Sequence, residues 1–188
     1  LGLIGEVTLK LWSQPMAVAT VEIDEAPIAL RHLYRPLAAL ETSEGSFAYL
    51  GGPEAQISEQ AARVGADARR GLVWPESIAD PVQLEFRVPA AQVVDAVGWI
   101  QRLGALRWIG QHGVGIVSGG FDGFDTEGFT VARRWAESVG GVLVVTAGRT
   151  GAFDPWGAPP PSIEIQRRIK EAFDPAGICN ASILAGGL

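Results

Sequence analysis

Two histidines, one cysteine and a set of arginines carry most of the chemistry that this 188-residue chain can offer. His112 stands in Gln111-His112-Gly113-Val114-Gly115. The glycines there let backbone approach a ligand closely, and an imidazole serves as general base or metal ligand near neutral pH. The same residues also suit a tight turn whose His is polar surface. With no carboxylate nearby in the sequence, that plainer reading is favoured. His32, beside Arg31, falls on a helical solvent face, and two histidines so far apart do not define a metal site. Arg87 and Arg107 lie on expected strands beside apolar neighbours, where a guanidinium is a fixed fork for a carboxylate. The alternative for each is an arginine on the polar face of its strand. Arg133-Arg134 and Arg167-Arg168 fall on helical solvent faces. Cys179, between Ile178 and Asn180, has no cation or helix N-terminus to lower its pKa and reads as a small hydrophobe. His112, Arg87 and Arg107 are thus candidates without an assigned catalytic role. The chain has no Walker-type phosphate loop, no Gly-x-Gly-x-x-Gly after a strand and no Gly-x-Ser-x-Gly elbow.

Composition narrows the class. At 47% hydrophobic and 19% charged the chain fills a core, which excludes wholesale disorder. A net charge of −6 argues against nucleic acid as a partner, because phosphate neutralisation needs a concentrated basic face. One cysteine excludes an internal disulfide and a cysteine-only zinc or iron–sulfur site. No apolar run approaches the roughly 20 residues of a membrane span, and no basic-then-apolar leader opens the chain. A cytoplasmic protein is expected, and a start at Leu1 reads as a cut from a larger parent.

The elements that must position these residues follow from periodicity. Glu6 to Trp12 alternates as a half-buried strand, and Val18 to Ile23 is a second. Leu30, Leu33, Leu37 and Leu40 predict a helix from about Pro27 to Leu40, kinked or broken at Pro36. Ser46 to Leu50 reads as a strand ending at Gly51-Gly52, Pro53 to about Ala66 as a helix, and Leu72-Val73-Trp74 as a short strand. Val82 to Val88 alternates strictly, and Pro89 opens a helix with Val93, Val97 and Ile100 on one face. Leu106 to Ile109 and Val114 to Val117 form a hairpin whose turn carries His112. Asp125 caps a helix with Val131, Trp135 and Val139 at four-residue intervals, and Val142 to Val145 is a buried strand. After a Gly/Pro-rich stretch, Ser162 caps a final helix whose apolar stripe is Ile165, Ile169 and Phe173. Trp156 apart, the six tryptophans read mostly as core.

Residues 82–147 therefore show the split βαβ rhythm of a ferredoxin-like unit, and 18–74 a looser version of it. The fold class expected is α+β: a ferredoxin-like, largely antiparallel sheet with helices packed on one face. No repeat is evident in the residues themselves.

Both ends carry a resemblance. Leu1-Gly2-Leu3-Ile4-Gly5-Glu6-Val7-Thr8-Leu9-Lys10-Leu11 resembles the segment that closes the flavin domain of FAD-linked oxidases, the vanillyl-alcohol oxidase superfamily. Ile169-Lys170-Glu171-Ala172-Phe173-Asp174-Pro175-Ala176-Gly177-Ile178-Cys179-Asn180 is similar to that family's C-terminal signature. Asp154-Pro155-Trp156-Gly157 with the following prolines is most similar to the branch formed by the FAD-binding E subunits of glycolate oxidase. The resemblance implies a remnant of the FAD domain at 1–15, a ferredoxin-like cap at 16–173 and a tail at 174–188 returning toward the flavin. It further implies FAD as cofactor, bound mainly by a domain outside this chain, with contacts from Gly2, Leu3 and Asn180. Oxidation of a small 2-hydroxy acid such as glycolate or lactate would be the activity.

Departures qualify what this chain does itself. Ala181-Ser182 stands where the family has Pro-Gly, and Gly5 where it has Thr. Gln111-His112-Gly113-Val114-Gly115 falls where catalytic relatives carry a metal-binding His-x-Gly-Asp-Gly, with Val114 in place of the carboxylate. Thr146-Ala147-Gly148-Arg149-Thr150 falls where they carry a base. The implied role is a subunit working beside a catalytic flavoprotein and an iron–sulfur subunit, inactive alone and membrane-associated only through such partners. The competing expectation is a free-standing ferredoxin-like module that binds a ligand or partner without redox activity.

Overall fold

The computed structural model describes residues 14–179 and Gly186. The Glu6–Trp12 strand expectation lies outside them. Two compact units divide the chain between Phe153 and Asp154.

The unit spanning 14–153 is α+β, one eight-stranded antiparallel sheet carrying four helices. Its first half runs β1 (Ala17–Ile23), α1 (Ala26–His32), β2 (Ala38–Thr42), β3 (Gly45–Gly52), α2 (Glu54–Arg63) and β4 (Ala68–Arg70). Its second half runs β5 (Val82–Arg87), α3 (Val93–Arg102), β6 (Arg107–His112), β7 (Ile116–Phe121), α4 (Thr126–Ser138) and β8 (Val142–Ala147). The sheet order is β4-β1-β3-β2-β6-β7-β5-β8. Each half is thus a complete βαββαβ unit in ferredoxin-like order, and the halves join edge to edge through β2 and β6. The looser rhythm of 18–74 belongs to the first of these units; the halves share a topology without a repeat in the residues.

Period-2 alternation decides which side chains meet the helices. Val82, Leu84 and Phe86 of β5, with Val117 and Phe121 of β7, pack against Val93, Val97 and Ile100 of α3 and Phe129 and Ala132 of α4. In the first half Ala19, Val21, Ala48 and Leu50 pack against Ala26 and Ala29 of α1 and Ile57 and Ala61 of α2. The helices share one face. Asp125 caps α4 as expected, its carboxylate accepting from the Gly128 amide at 3.1 Å.

Several expectations are corrected. The helix over 27–40 ends at His32, Leu33 is already extended, and Leu40 lies on β2. Pro36 cannot continue a helix, and Arg35 has a positive φ of 47°. The leucine spacing there belonged to two elements. Leu72-Val73-Trp74 adds no strand; the sheet edge is Ala68–Arg70 instead. On α4 the buried stripe is Phe129, Ala132 and Ala136, leaving Val131 exposed. Arg133 does not face solvent alone: its Nε donates to the Leu143 carbonyl at 3.3 Å and its guanidinium lies over Phe153. Trp108 is buried and Trp99 and Trp135 pack part-buried against the second core as expected, but Trp74 is 52% exposed. The proline between Trp74 and Glu76 keeps this stretch extended, out of any ladder.

The unit that begins at Asp154 contains α5 (Ile163–Phe173). Ser162 takes the N-cap position, but its hydroxyl accepts from the Gln166 side chain and not from the backbone. Ile165, Ile169 and Phe173 are exposed, and the buried residue of the helix is Lys170.

Candidate functional site

His112 is the last residue of β6, not part of the turn, and it is buried. The alternation of Trp108, Gly110 and His112 sends all three to the helix face. Across the seam, β2 pairs Ala39 with His112 and Glu41 with Gly110. This brings Glu41 to the imidazole, Nε2 to Oε2 at 2.9 Å, from 71 positions away. The carboxylate missing from the local sequence is therefore supplied by the other half of the fold. The His112 side chain is 4% exposed and that of Glu41 29%, so the pair clamps the seam through Nε2. Removing the ring leaves a part-buried carboxylate unpartnered, which costs about 1–3 kcal/mol. His112→Ala is expected to lower denaturant stability by that amount, with Glu41→Ala in the same chain restoring part of it. A double-mutant cycle measures the coupling.

The opposite face of the sheet is crossed by the connection between the halves, residues 71–81, which we call the strap. It starts beside β4 and is held by residues of β1, β3, β6 and β7. Thr20 on β1 accepts from the Val73 amide and donates to the Gly71 carbonyl, both at 2.9 Å. Tyr49 on β3 donates to the Val73 carbonyl at 2.9 Å and stacks on Trp74, centroids 4.0 Å apart. Arg107 on β6 donates from Nη2 and Nε to Asp80 at 3.2 and 3.3 Å and reaches Glu76 at 4.0 Å. Gly120 on β7 lets Asp80 lie against the sheet, since a Cβ there would stand 2.0 Å from its carboxylate. Asp80 and the other acidic groups around it hold the Arg107 guanidinium above its ordinary pKa, the hydrogen bond to Asp80 contributing most.

Two grooves flank the strap. One, of about 270 Å³, lies in the first half by Trp74. The other, of about 280 Å³, lies in the second half and is lined by Ile78, Gln83, Glu85, Ser118 and Thr146. The expected fork of Arg107 is thus engaged by the strap, and Arg87 pairs with Glu85 beside it at 2.6 Å. His32 ends α1 on the surface, as expected. The structure does not bring His112, Arg87 and Arg107 to one site: His112 faces the helices and the two arginines sit on the opposite face. Among the described residues no group of three His, Cys, Asp or Glu side chains is placed to hold a metal.

In the α5 unit a second constellation appears that spacing alone did not suggest. Lys170 and Asp174, one helical turn apart, pair at 2.6 Å with side chains only 10% and 6% exposed. The Asp174 carboxylate also accepts from the amides of Ile178 and Cys179, each at 2.9 Å, and the Lys170 ammonium donates to the Cys179 carbonyl. Gly177, at φ 62°, makes the turn that brings those amides back. These bonds favour the ionised carboxylate, so Asp174 titrates below the usual range, the Lys170 hydrogen bond contributing most. A depressed acid pKa adds stability that is complete above the unfolded value and lost as pH falls through the folded one. Proteolysis at the C-terminal side of α5 is therefore expected to accelerate on acidification below about pH 4, the ordinary Asp pKa. Asp174→Asn would show fast cleavage already at neutral pH. Cys179 has its backbone engaged and its thiol half-buried and free.

Gly2, Leu3 and Asn180, the positions implied for FAD contact, lie outside the described residues. No helix among the described residues is long and apolar enough to cross a membrane. Comparison with known protein families, with curated proteins and with solved structures gave no match to this chain.

Proposed function

We propose that this chain is the C-terminal, cap-forming part of an FAD-binding oxidoreductase subunit that takes part in oxidising a small 2-hydroxy acid. The observation that carries this reading is the turn after α5. In Phe173-Asp174-Pro175-Ala176-Gly177-Ile178-Cys179, the stretch that resembles the flavoprotein signature, the signature residues make specific contacts. Asp174 binds two amides, Gly177 supplies the left-handed turn, and Lys170 closes the node from the helix. Amide and carbonyl of Cys179 are both engaged in this node. An Asn amide and glycine-flanked backbone at Gly2 and Leu3 fit flavin ring atoms chemically, and FAD, when bound, supplies the hydride acceptor.

The iron–sulfur and catalytic flavoprotein partners, and glycolate or lactate as substrate, belong to the same proposal. It is tested by purifying the natural polypeptide that contains these 188 residues and recording its visible absorbance. Flavin bands are expected there, and none in the isolated chain. A natural polypeptide that carries no flavin overturns the reading.

A further inference from the structure

The groove beside Trp74 has a composition that neither the fold nor the proposed oxidoreductase role requires. Its floor is apolar: Phe47 from β3, with Val73, Trp74 and Pro75 from the strap. Its rim is acidic, with Glu22 from β1, Glu44 from the β2–β3 turn, Asp67 before β4 and Glu76 from the strap, against one cation, Arg69. Glu22 and Asp67 make no ion pair among the described residues, and Glu76 reaches only the already engaged Arg107, at 4.0 Å.

Trp74 is the unusual member. It is stacked at 18° on the fully buried Tyr49, yet 52% of it remains exposed. Its backbone neighbour Val73 is bonded at both polar groups, so the indole is held in place before any ligand arrives. A large aromatic kept rigid and wet loses little conformational entropy on being covered. Its π face attracts a cation, most of all the planar guanidinium of an arginine, which stacks as well as pairs. Carboxylates from four different segments line the same groove and supply partners for the guanidinium N–H groups. The groove, about 270 Å³, has the dimensions of one long side chain.

We propose that this groove docks a partner protein through an exposed, arginine-bearing segment, whose guanidinium stacks on Trp74 among the rim carboxylates. Apolar floor and acidic rim then act together: the floor takes the methylene stem and the rim takes the charge. The surrounding charge favours the same partner, because the whole chain is acidic at −6 and steers basic segments toward it. This inference is independent of flavin binding.

The test uses the complete chain, isotope-labelled, with NMR titration of a Gly-Gly-Arg-Phe-Gly-Gly peptide and its counterpart with uncharged, isosteric citrulline. The arginine peptide is expected to shift the Trp74 indole and the Thr20 and Asp67 amides. Citrulline should bind at least about tenfold more weakly, the scale of one cation–π contact with its ion pairs. Trp74→Ala is expected to weaken the arginine peptide by a similar factor, the first-half core signals of Val21 and Leu50 reporting an intact fold. Glu22→Gln with Asp67→Asn leaves the Tyr49–Trp74 stack untouched and should give the same direction of change. Equal binding of the two peptides, or no shift of these signals at millimolar peptide, overturns the proposal. N-acetylarginine amide binding as tightly as the peptide overturns the protein partner and leaves a small-cation site.

Discussion

Tyr49→Ala is expected to lower the unfolding free energy by about 3–5 kcal/mol, the range for removing a large, fully buried aromatic. The loss has two parts that a second variant separates. Tyr49→Phe keeps the ring stacked on Trp74 and removes only the hydroxyl's bond to the Val73 carbonyl, so it should cost about 0.5–1.5 kcal/mol. The remainder belongs to the packing that pins the strap to β3. Chemical denaturation of both variants gives the partition, and hydrogen exchange at the Val73 amide reports strap release directly. A Tyr49→Ala chain as stable as its parent would show that the strap contributes nothing to the fold.

Tyr49 also sets a pH limit. Burial disfavours the phenolate and raises its pKa above the ordinary value of 10.0. The folded state therefore holds the proton longer than the unfolded state does. Stability from this residue is complete below the unfolded pKa and is lost as pH rises through it toward the folded value. The alkaline decline should begin near pH 10 and should be shallower in Tyr49→Phe.

Phe86→Ala should be comparably severe, about 3–5 kcal/mol, through a different route. Phe86 is fully buried at the centre of the second core and meets Trp135 edge-on, with centroids 5.6 Å apart. Its loss leaves a void between β5 and α4 that Leu143 and Val117 cannot fill without leaving their own rotamers. The two halves have separate cores, so the damage should be uneven. Amide protection is expected to fall most on β5, β7 and β8, and less on β1 and β3. Uniform loss across all eight strands would instead show that the β2–β6 seam makes the halves one cooperative unit.

That seam marks where local reading ended. Val82–Arg87, the α3 helix, the α4 cap at Asp125 and the β6–β7 hairpin were legible, because alternation, capping and turn chemistry act within a few residues. The α1–β2 region was misread because leucines from a helix and a strand happened to share a helical spacing across Pro36. The stripe Ile165, Ile169 and Phe173 was real as a period, but periodicity cannot say whether its apolar side is covered, and these residues are exposed.

For the candidate residues the division is sharper. The pattern Trp108-Gly110-His112 already held a signal, since period 2 puts the imidazole on the side of a buried tryptophan. It could not reveal Glu41, because the pairing of β2 with β6 joins segments 71 positions apart and leaves no signal in local spacing. Arg107 and Asp80 likewise meet only because the strap crosses the sheet. Residue order by itself determined most of the elements and the α+β class. Which strands became neighbours, and hence which charges became partners, was decided by packing two hydrophobic cores on one sheet, an interaction with no local record.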